Sequence, residues 1–278
     1  GPTTLVDSGY FTHAPQTAAL VEAVLEGDPL ELLLNTHLHS DHCGGNAELQ
    51  ARYPDLATAI PPGEADAVAR WDESALSFEG TGQHCPRFHH KHLLVPDTDV
   101  ALGGQAWQVH AAPGHDPHSV LLFEPGSRTL ISADALWQNG FGVVFPELQG
   151  EPGFDDVAAT FDLIERLSPR VVIPGHGTVF TDVEAALRTA RRRLEGQVRA
   201  PDKHAWHAMK VLLKFKLLEL GSAERSALQL WFSQTPYMGM VQRRYFPAQT
   251  APSIFDQLVV ELTASGTLAI AQDRIINT

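Results

Sequence analysis

The stretch "NTHLHSDHCGG", residues 35–45, holds three histidines and one aspartate within the six positions from His37 to His42. Neutral imidazole and carboxylate are common ligands of divalent metal ions, and histidines two positions apart on a loop can face one ion. A solvated polar turn has the same composition. The preceding apolar run "ELLLNT" (31–36) predicts a buried strand, so the cluster lies in the loop at that strand's C-terminal end.

Three further coordinating residues also follow predicted strands. His115 ends the strand predicted at 105–114, Asp134 lies at the end of 128–136, and His176 lies at the end of 170–177. α/β proteins place their sites at the carboxyl ends of strands. Glycines beside two of these residues let the backbone approach an ion closely. Four strand ends that each deliver a ligand favour a metal site over a polar turn.

The pattern of alternating strands and helices stops near residue 200. Beyond it we predict helices at 203–221, 222–236 and 253–266, followed by two short strands within 267–277. Three helices and a β-hairpin are typical of a winged-helix module. We therefore predict a catalytic domain at 1–200 and a small helical, winged-helix-like domain at 201–278.

Composition excludes several classes of protein. The net charge of -13 disfavours loose binding to nucleic acid or to an anionic membrane, and two cysteines do not make a disulfide framework. No apolar run reaches the length of a membrane span. The cytoplasm is the expected compartment, although a chain that starts at Gly1 says little about a signal peptide.

Five motifs between residues 5 and 177 carry a resemblance to a known family: "LVDSG", "THLHSDH", "PGH", "SADAL" and "PGHG", in that order. With them the chain resembles the metallo-β-lactamase superfamily. The resemblance implies an α/β fold, an αββα sandwich with the site at one edge between two sheets. The motifs are specific for the fold and the metal site, and not for the substrate.

The resemblance also implies a ligand set for two divalent metal ions. Zinc is expected, and iron or manganese would suit the same ligands. By similarity, the first ion is held by His37, His39 and His115, the second by Asp41, His42 and His176, with Asp134 bridging both and Asp7 orienting ligands from outside.

The implied chemistry is hydrolysis by a hydroxide that bridges the two ions, with Asp41 as the catalytic residue beside the attacking water. In the family, Asp at the position of Asp134 is typical of glyoxalase II, lactonases and phosphodiesterases, and not of true β-lactamases. We expect a small ester, thioester or lactone as substrate. No basic glutathione-binding cluster of the glyoxalase II kind is visible in the C-terminal region.

Two alternatives stay open. One is a metal-dependent phosphodiesterase or ribonuclease whose C-terminal module binds nucleic acid, which a basic, exposed helix within 222–247 would favour. The other is a metal-stabilised binding module without catalysis, which the intact ligand set disfavours. The basic strips at 191–193 and 210–216 are interpreted as solvated helix faces. A small-molecule substrate is expected, nucleic acid and membrane partners are not, and a homodimer is left open.

Several other residues have two interpretations. Trp137, Phe141 and Phe145 either wall an apolar acyl pocket or belong to the core or a dimer face. Cys43 is expected to be a small buried thiol. The histidine-rich segment 84–92 is interpreted as a loop, either beside the site or simply solvated, and His110 as structural.

Overall fold

The computed structural model describes all 278 residues and divides into two compact units. The first comprises residues 1–78 and 84–196, and the second comprises 79–83 and 197–278. The functional domain limits expected from the sequence, 1–200 and 201–278, stay a prediction. No signal in the sequence indicated that 79–83 belongs with the C-terminal residues.

The first unit contains strands and helices in alternation. Its strands are β1 (Thr4–Val6), β2 (Leu32–Leu34), β3 (Ala57–Ile60), β4 (His92–Leu93), β5 (Asp99–Leu102), β6 (Gln105–Ala111), β7 (Val120–Glu124), β8 (Thr129–Ala133) and β9 (Val171–Pro174). Its helices are α1 (Ala14–Leu25), α2 (Ser40–Cys43), α3 (Asn46–Arg52), α4 (Ala65–Arg70), α5 (Phe78–Thr81), α6 (Phe145–Gln149), α7 (Gly153–Leu167) and α8 (Val183–Arg199), where α5 and α8 cross the unit boundary.

The strands form two sheets. The first has the order β1-β2-β3-β4 with all strands parallel, and the second has the order β5-β6-β7-β8-β9. In the second sheet only β8 and β9 are parallel. The carboxyl ends of β1 and β2 therefore lie at one edge of the first sheet, and those of β8 and β9 lie at one edge of the second.

The core shows that the two sheets stack between helices. Along β7, Val120 and Leu122 pack with Leu34 of the first sheet, whereas Leu121 and Phe123 pack with residues of α7 and α8. This alternation is the period of two that a strand buried on both faces requires. On the far side of the first sheet, Leu33 packs against residues of α1 and α3. The predicted α/β sandwich, an αββα arrangement, is confirmed.

Strands β3, β4 and β5 and helix α6 were not expected from the sequence. They are two to five residues long, too short to show a hydrophobic period. β3 is formed by pairing with β2, with Leu33 opposite Thr58, and tertiary pairing of this kind leaves no local signal.

The second unit contains α9 (Pro201–Leu220), β10 (Ser222–Glu224), α10 (Arg225–Gln234), α11 (Pro236–Tyr245), α12 (Ala251–Ala264), β11 (Leu268–Ala271) and β12 (Arg274–Asn277). The strands form an antiparallel sheet in the order β10-β12-β11. The second unit has one more helix and one more strand than predicted. The extra helix is α11, which begins at Pro236 after an extended Thr235. The extra strand is β10, which has three residues. No helix combines the length and the apolar character that a membrane span requires.

Candidate metal centre

The loop that follows β2 is fixed by buried amide groups. The Asn35 side chain donates to the backbone carbonyl of His42 (3.0 Å), and the Asn46 side chain donates to the side-chain oxygen Oδ1 of Asn35 (2.7 Å). The Ser8 backbone N–H also donates to the His42 carbonyl at 2.8 Å. The loop therefore presents its histidines on a backbone with satisfied polar groups.

Three histidines form the first group of the centre. Ligand atoms of His37, His39 and His115 lie within 4.8 Å of one another. His39 comes from the loop after β2 and His115 from the loop after β6, and their Nδ1 and Nε2 atoms are 2.8 Å apart. In this protein, two loops from different sheets bring three imidazole nitrogens to one point.

The second group combines one carboxylate and two imidazoles. Asp41, His42 and His176 also offer ligand atoms within 4.8 Å of one another. His176 Nε2 lies 3.3 Å from Asp41 Oδ2, and His42 Nε2 lies 3.9 Å from the same oxygen. The His176 side chain is 46% exposed, so this side of the centre is open to solvent.

Asp134 lies between the two groups. Its Oδ2 is 3.3 Å from His115 Nε2 and 3.5 Å from His176 Nε2, and its Oδ1 is 3.5 Å from His42 Nε2. The preceding residue, Ala133, has a left-handed φ of 46°, next to an irregularity in the pairing of β8 with β9. This uncommon backbone conformation turns the carboxylate into the centre.

Two glycines make room for the ligands. A Cβ at Gly175 would lie 2.4 Å from Asp134 Oδ1, and a Cβ at Gly142 would lie 2.4 Å from His115 Nδ1. No side chain fits at either position. Gly175 belongs to the "PGHG" motif, whereas Gly142 was not singled out in the sequence.

His42 and His115 each have a hydrogen-bond partner for the second ring nitrogen. Asp7 Oδ2 accepts from His42 Nδ1 (2.8 Å), and Asp7 itself, at a left-handed φ of 57°, is held by Thr36. The Val143 carbonyl accepts from His115 Nδ1 at 2.5 Å. Such partners fix the tautomer and the ring orientation.

Two residues beside the ligands were not predicted from the sequence. Val143 acts through its backbone carbonyl, which any residue could supply. Asp116 Oδ2 lies 3.8 Å from His39 Nε2, on the side of the ring away from His115. An aspartate directly after the "PGH" histidine could have been singled out as a neighbour of the centre.

The two groups differ in electrostatics. Burial lowers the pKa of His37, and it lowers the pKa values of His39 and His115 to about 4. Burial also acts on His176, but ion pairs with Asp134 and Asp41 outweigh it and raise its pKa to about 9.

His42 behaves like His176. Burial would lower its pKa, but the carboxylates of Asp134 and Asp7 outweigh burial and raise it. The pKa values of Asp41 and Asp134 are lowered, because pairing with His42 outweighs the effect of burial. The first group is therefore a set of neutral imidazoles, and the second is a set of charged pairs.

The donor atoms fit a metal ion. His37 Nε2 and His42 Nε2 are buried and have no hydrogen-bond partner. A buried imidazole nitrogen without a partner is costly, and cations bound in the centre would satisfy these two nitrogens. All seven residues expected to be ligands belong to the clustered groups, and none of the histidines in 84–92 does.

The three aromatic residues of the expected acyl pocket have different positions. The Trp137 ring lies edge-to-face against His176 (5.2 Å), and Phe145 lies against His39 (5.3 Å). Phe141 is only 2% exposed and packs on Phe161 in the core behind the centre. Of the two interpretations given for Phe141, its contacts correspond to the core one, because its ring packs on the α7 side of the sheet.

The remaining residues are structural in their contacts. Cys43 is buried, with its Sγ 3.7 Å from Cys85 Sγ. His84 packs edge-to-face on Phe11. His110 is half-buried and contacts Gln108.

Comparison with known proteins places these observations in a family. The sequence profile of the metallo-beta-lactamase superfamily matches residues 1–176, more than half of the chain. A hydroxyacylglutathione hydrolase of Synechococcus sp. (strain JA-3-3Ab) is 28% identical over 170 residues, which are 57% of this chain and 58% of that protein. The chain spans about half the length of the curated relatives it matches.

Two further proteins are informative. An atrochrysone carboxyl ACP thioesterase of Aspergillus fumigatus is 34% identical over 203 residues, which are 70% of this chain and 40% of that protein. A protein solved in a di-iron-bound form matches with a TM-score of 0.52 at 26% identity, over 67% of this chain and 87% of that chain.

Proposed function

The chain belongs to the metallo-beta-lactamase superfamily, and on this premise we propose that it is a dinuclear metal-dependent hydrolase of a small ester, thioester or lactone, with thioesters preferred. The observation that carries the proposal is the position of Asp134, whose Oδ2 lies within 3.5 Å of both His115 and His176. A carboxylate that faces both groups of ligands suits a bridge between two ions. The likeness to a protein with a di-iron centre supports two ions.

The proposed ligands belong to two ions. His37, His39 and His115 would hold one ion, Asp41, His42 and His176 the other, and Asp134 both. Divalent ions at such a site lower the pKa of water towards neutrality and polarise the oxygen of the electrophile. Zinc, iron and manganese all suit these ligands.

Asp41 is the proposed catalytic residue. Its side chain is 21% exposed, and it lies on the open side of the centre beside His176. A carboxylate with a lowered pKa is ionised at neutral pH and can hold the attacking water by accepting its hydrogen bond. Asp7 keeps His42 in one tautomer, which leaves its Nε2 free to bind.

Chemistry favours a thioester among the acyl substrates. A thiolate leaving group has a conjugate-acid pKa of about 8.5, so it departs without a strong general acid. Trp137 and Phe145 supply apolar surface beside the centre, which suits an acyl group. Two relatives, named as a hydroxyacylglutathione hydrolase and an ACP thioesterase, point to the same bond.

The phosphodiesterase alternative receives less support. It requires a basic surface on the C-terminal unit, but Arg225 is paired with Asp256 and Lys210 with Glu261. Arg243 and Arg244 are exposed at the end of α11. We propose that the C-terminal unit is winged-helix-like, given its β11–β12 hairpin, and that it has no role in binding nucleic acid.

Turnover of three substrates tests the proposal: a p-nitrophenyl ester, an acyl thioester and bis-p-nitrophenyl phosphate, each with metal-loaded protein. We expect the thioester to be hydrolysed with the highest kcat/KM. Turnover of the phosphodiester alone would replace the proposal with the phosphodiesterase alternative.

A further inference from the structure

The two oxygens of Asp134 have different neighbours. Oδ2 faces His115 and His176, one residue from each ligand group, at 3.3 and 3.5 Å. Oδ1 lies 3.5 Å from His42 Nε2 and accepts a hydrogen bond from Trp137 Nε1 at 3.3 Å. The carboxylate therefore has one oxygen towards both groups and one oxygen held by an indole.

Trp137 is fixed in this position by its own turn. Its backbone N–H donates to the Gly140 carbonyl at 2.7 Å, and the Ser132 hydroxyl donates to the Leu136 carbonyl at 2.7 Å. Gly140 has a φ of 146°, and a Cβ there would lie 2.6 Å from Arg193. These bonds fix the backbone of Trp137 beside Asp134, and the N–H of its indole then reaches Asp134 Oδ1.

The same indole also contacts a ligand of the second group. Its ring and that of His176 are 5.2 Å apart at 86°, an edge-to-face contact. His176 is the most exposed of the seven expected ligands and has no outer partner of the kind that Asp7 provides for His42. The ring of Trp137 restricts the rotation of a side chain that is otherwise open to solvent.

We propose that Trp137 is a positioning residue for the second ion. Its N–H donates to Asp134 Oδ1 and would leave Oδ2 available to the ions, while its ring would orient His176. This role rests on the proposed dinuclear function and assigns to Trp137 more than a wall of the acyl pocket.

The expected effect is larger in the second half of the centre, because Asp134 faces both groups whereas the ring of Trp137 contacts His176 of the second group. In the first half, the second ring nitrogens of His37 and His39 face other residues, Thr36 Oγ1 at 3.1 Å and Asp116 Oδ2 at 3.8 Å. Loss of the indole N–H would therefore weaken binding of the second ion more than binding of the first.

The test is stepwise zinc titration of the full chain, stripped of metal, against a chromophoric chelator. The variant is Trp137→Phe, which keeps a ring and removes the N–H. The control is Trp107→Phe, the same chemical change on β6 within the inter-sheet core. We expect the variant to bind the second zinc 10–100-fold more weakly, the magnitude typical of an outer partner, and the first within about twofold of wild type.

A measurement on the unaltered protein guards against a variant that fails to fold. Tryptophan emission is recorded during the same titration, and the Trp137 contribution is expected to change with the second equivalent of zinc and not with the first. Equal affinities for both ions in Trp137→Phe and wild type would overturn the role of Trp137 alone. A wild-type chain that binds a single zinc would overturn both this role and the dinuclear function.

Discussion

The two halves of the candidate metal centre are built differently. His37, His39 and His115 have pKa values lowered by burial and are neutral near pH 7. His42 and His176 have pKa values raised by neighbouring carboxylates. A neutral group of imidazoles binds a cation without losing a proton, whereas the second group must release protons first.

Exposure differs within each half as well as between them. In the first half His37 and His115 are buried and the His39 side chain is 19% exposed, and in the second half His42 is buried while Asp41 is 21% and His176 46% exposed. From this comparison we expect the first half to hold its ion more tightly. We expect water and substrate to arrive beside His176, the most exposed of the proposed ligands, where the second ion would be held more weakly.

The largest effect is expected from Asp134→Asn, because this carboxylate faces both halves. We expect kcat/KM for the thioester to fall by about 10³-fold or more, since several kcal/mol of transition-state stabilisation depend on two correctly held ions. Asp55→Asn, an exposed aspartate outside the centre, is the matched control. Full activity in Asp134→Asn would contradict the mechanism.

Comparing His39→Ala with His176→Ala distinguishes the contributions of the two halves to metal binding and turnover. The first variant removes a ligand of the buried half and should lose hydrolysis altogether, while the C-terminal unit stays folded. The second variant should retain about one ion per chain with turnover reduced by roughly 10²-fold or more. Metal analysis and circular dichroism of both variants check this, and loss of both ions in His176→Ala would break the comparison.

A smaller effect is expected from Asp116→Ala, which removes the carboxylate 3.8 Å from His39 Nε2. Loss of an outer partner lowers affinity for the first ion by about 10–100-fold. This is the reverse of the result expected for Trp137→Phe. Zinc titration of the two variants side by side measures it, and a weakened second ion in Asp116→Ala would refute the assignment of Asp116 to the first half.

The smallest effect concerns the metal-free protein and its pH dependence. Folded pKa values of about 4 for His39 and His115 lie below the usual 6.5, so the unfolded chain binds more protons and stability falls as pH drops from 6.5 to 4. The pKa of about 9 for His176 acts in the opposite sense, and its stabilisation is lost as pH rises from 6.5 to 9.

Urea unfolding of the metal-free protein across this range is the measurement. His39→Gln should flatten the acid side of the profile and His176→Gln the alkaline side. Identical profiles for the two variants would show that the halves do not differ in charge.

The seven residues that the resemblance implies as ligands lie together in the structure. They follow strands, and the ends of strands at one edge of a sheet converge. The carbonyl of Val143 could not be found, since a backbone group has no residue type. The N–H of Trp137 was missed for a related reason: the sequence suggested its apolar ring and not the partner of its nitrogen.

The fold outside the motifs depends on tertiary pairing. β3 forms along β2, and the two-residue β4 forms along β3, so neither has a local period to detect. In the C-terminal unit, α10 ends at Gln234 and α11 begins at Pro236. Proline is common at the first position of a helix, so Pro236 is a local signal for this break.

Metal content tests the central claim most directly. The chain is purified without added metal, then reconstituted with zinc, iron or manganese, and the ions per chain are counted by elemental analysis after removal of the excess. We predict close to two ions per chain for wild type and fewer for Asp134→Asn. One ion or none in wild type after reconstitution with each metal would contradict a dinuclear centre.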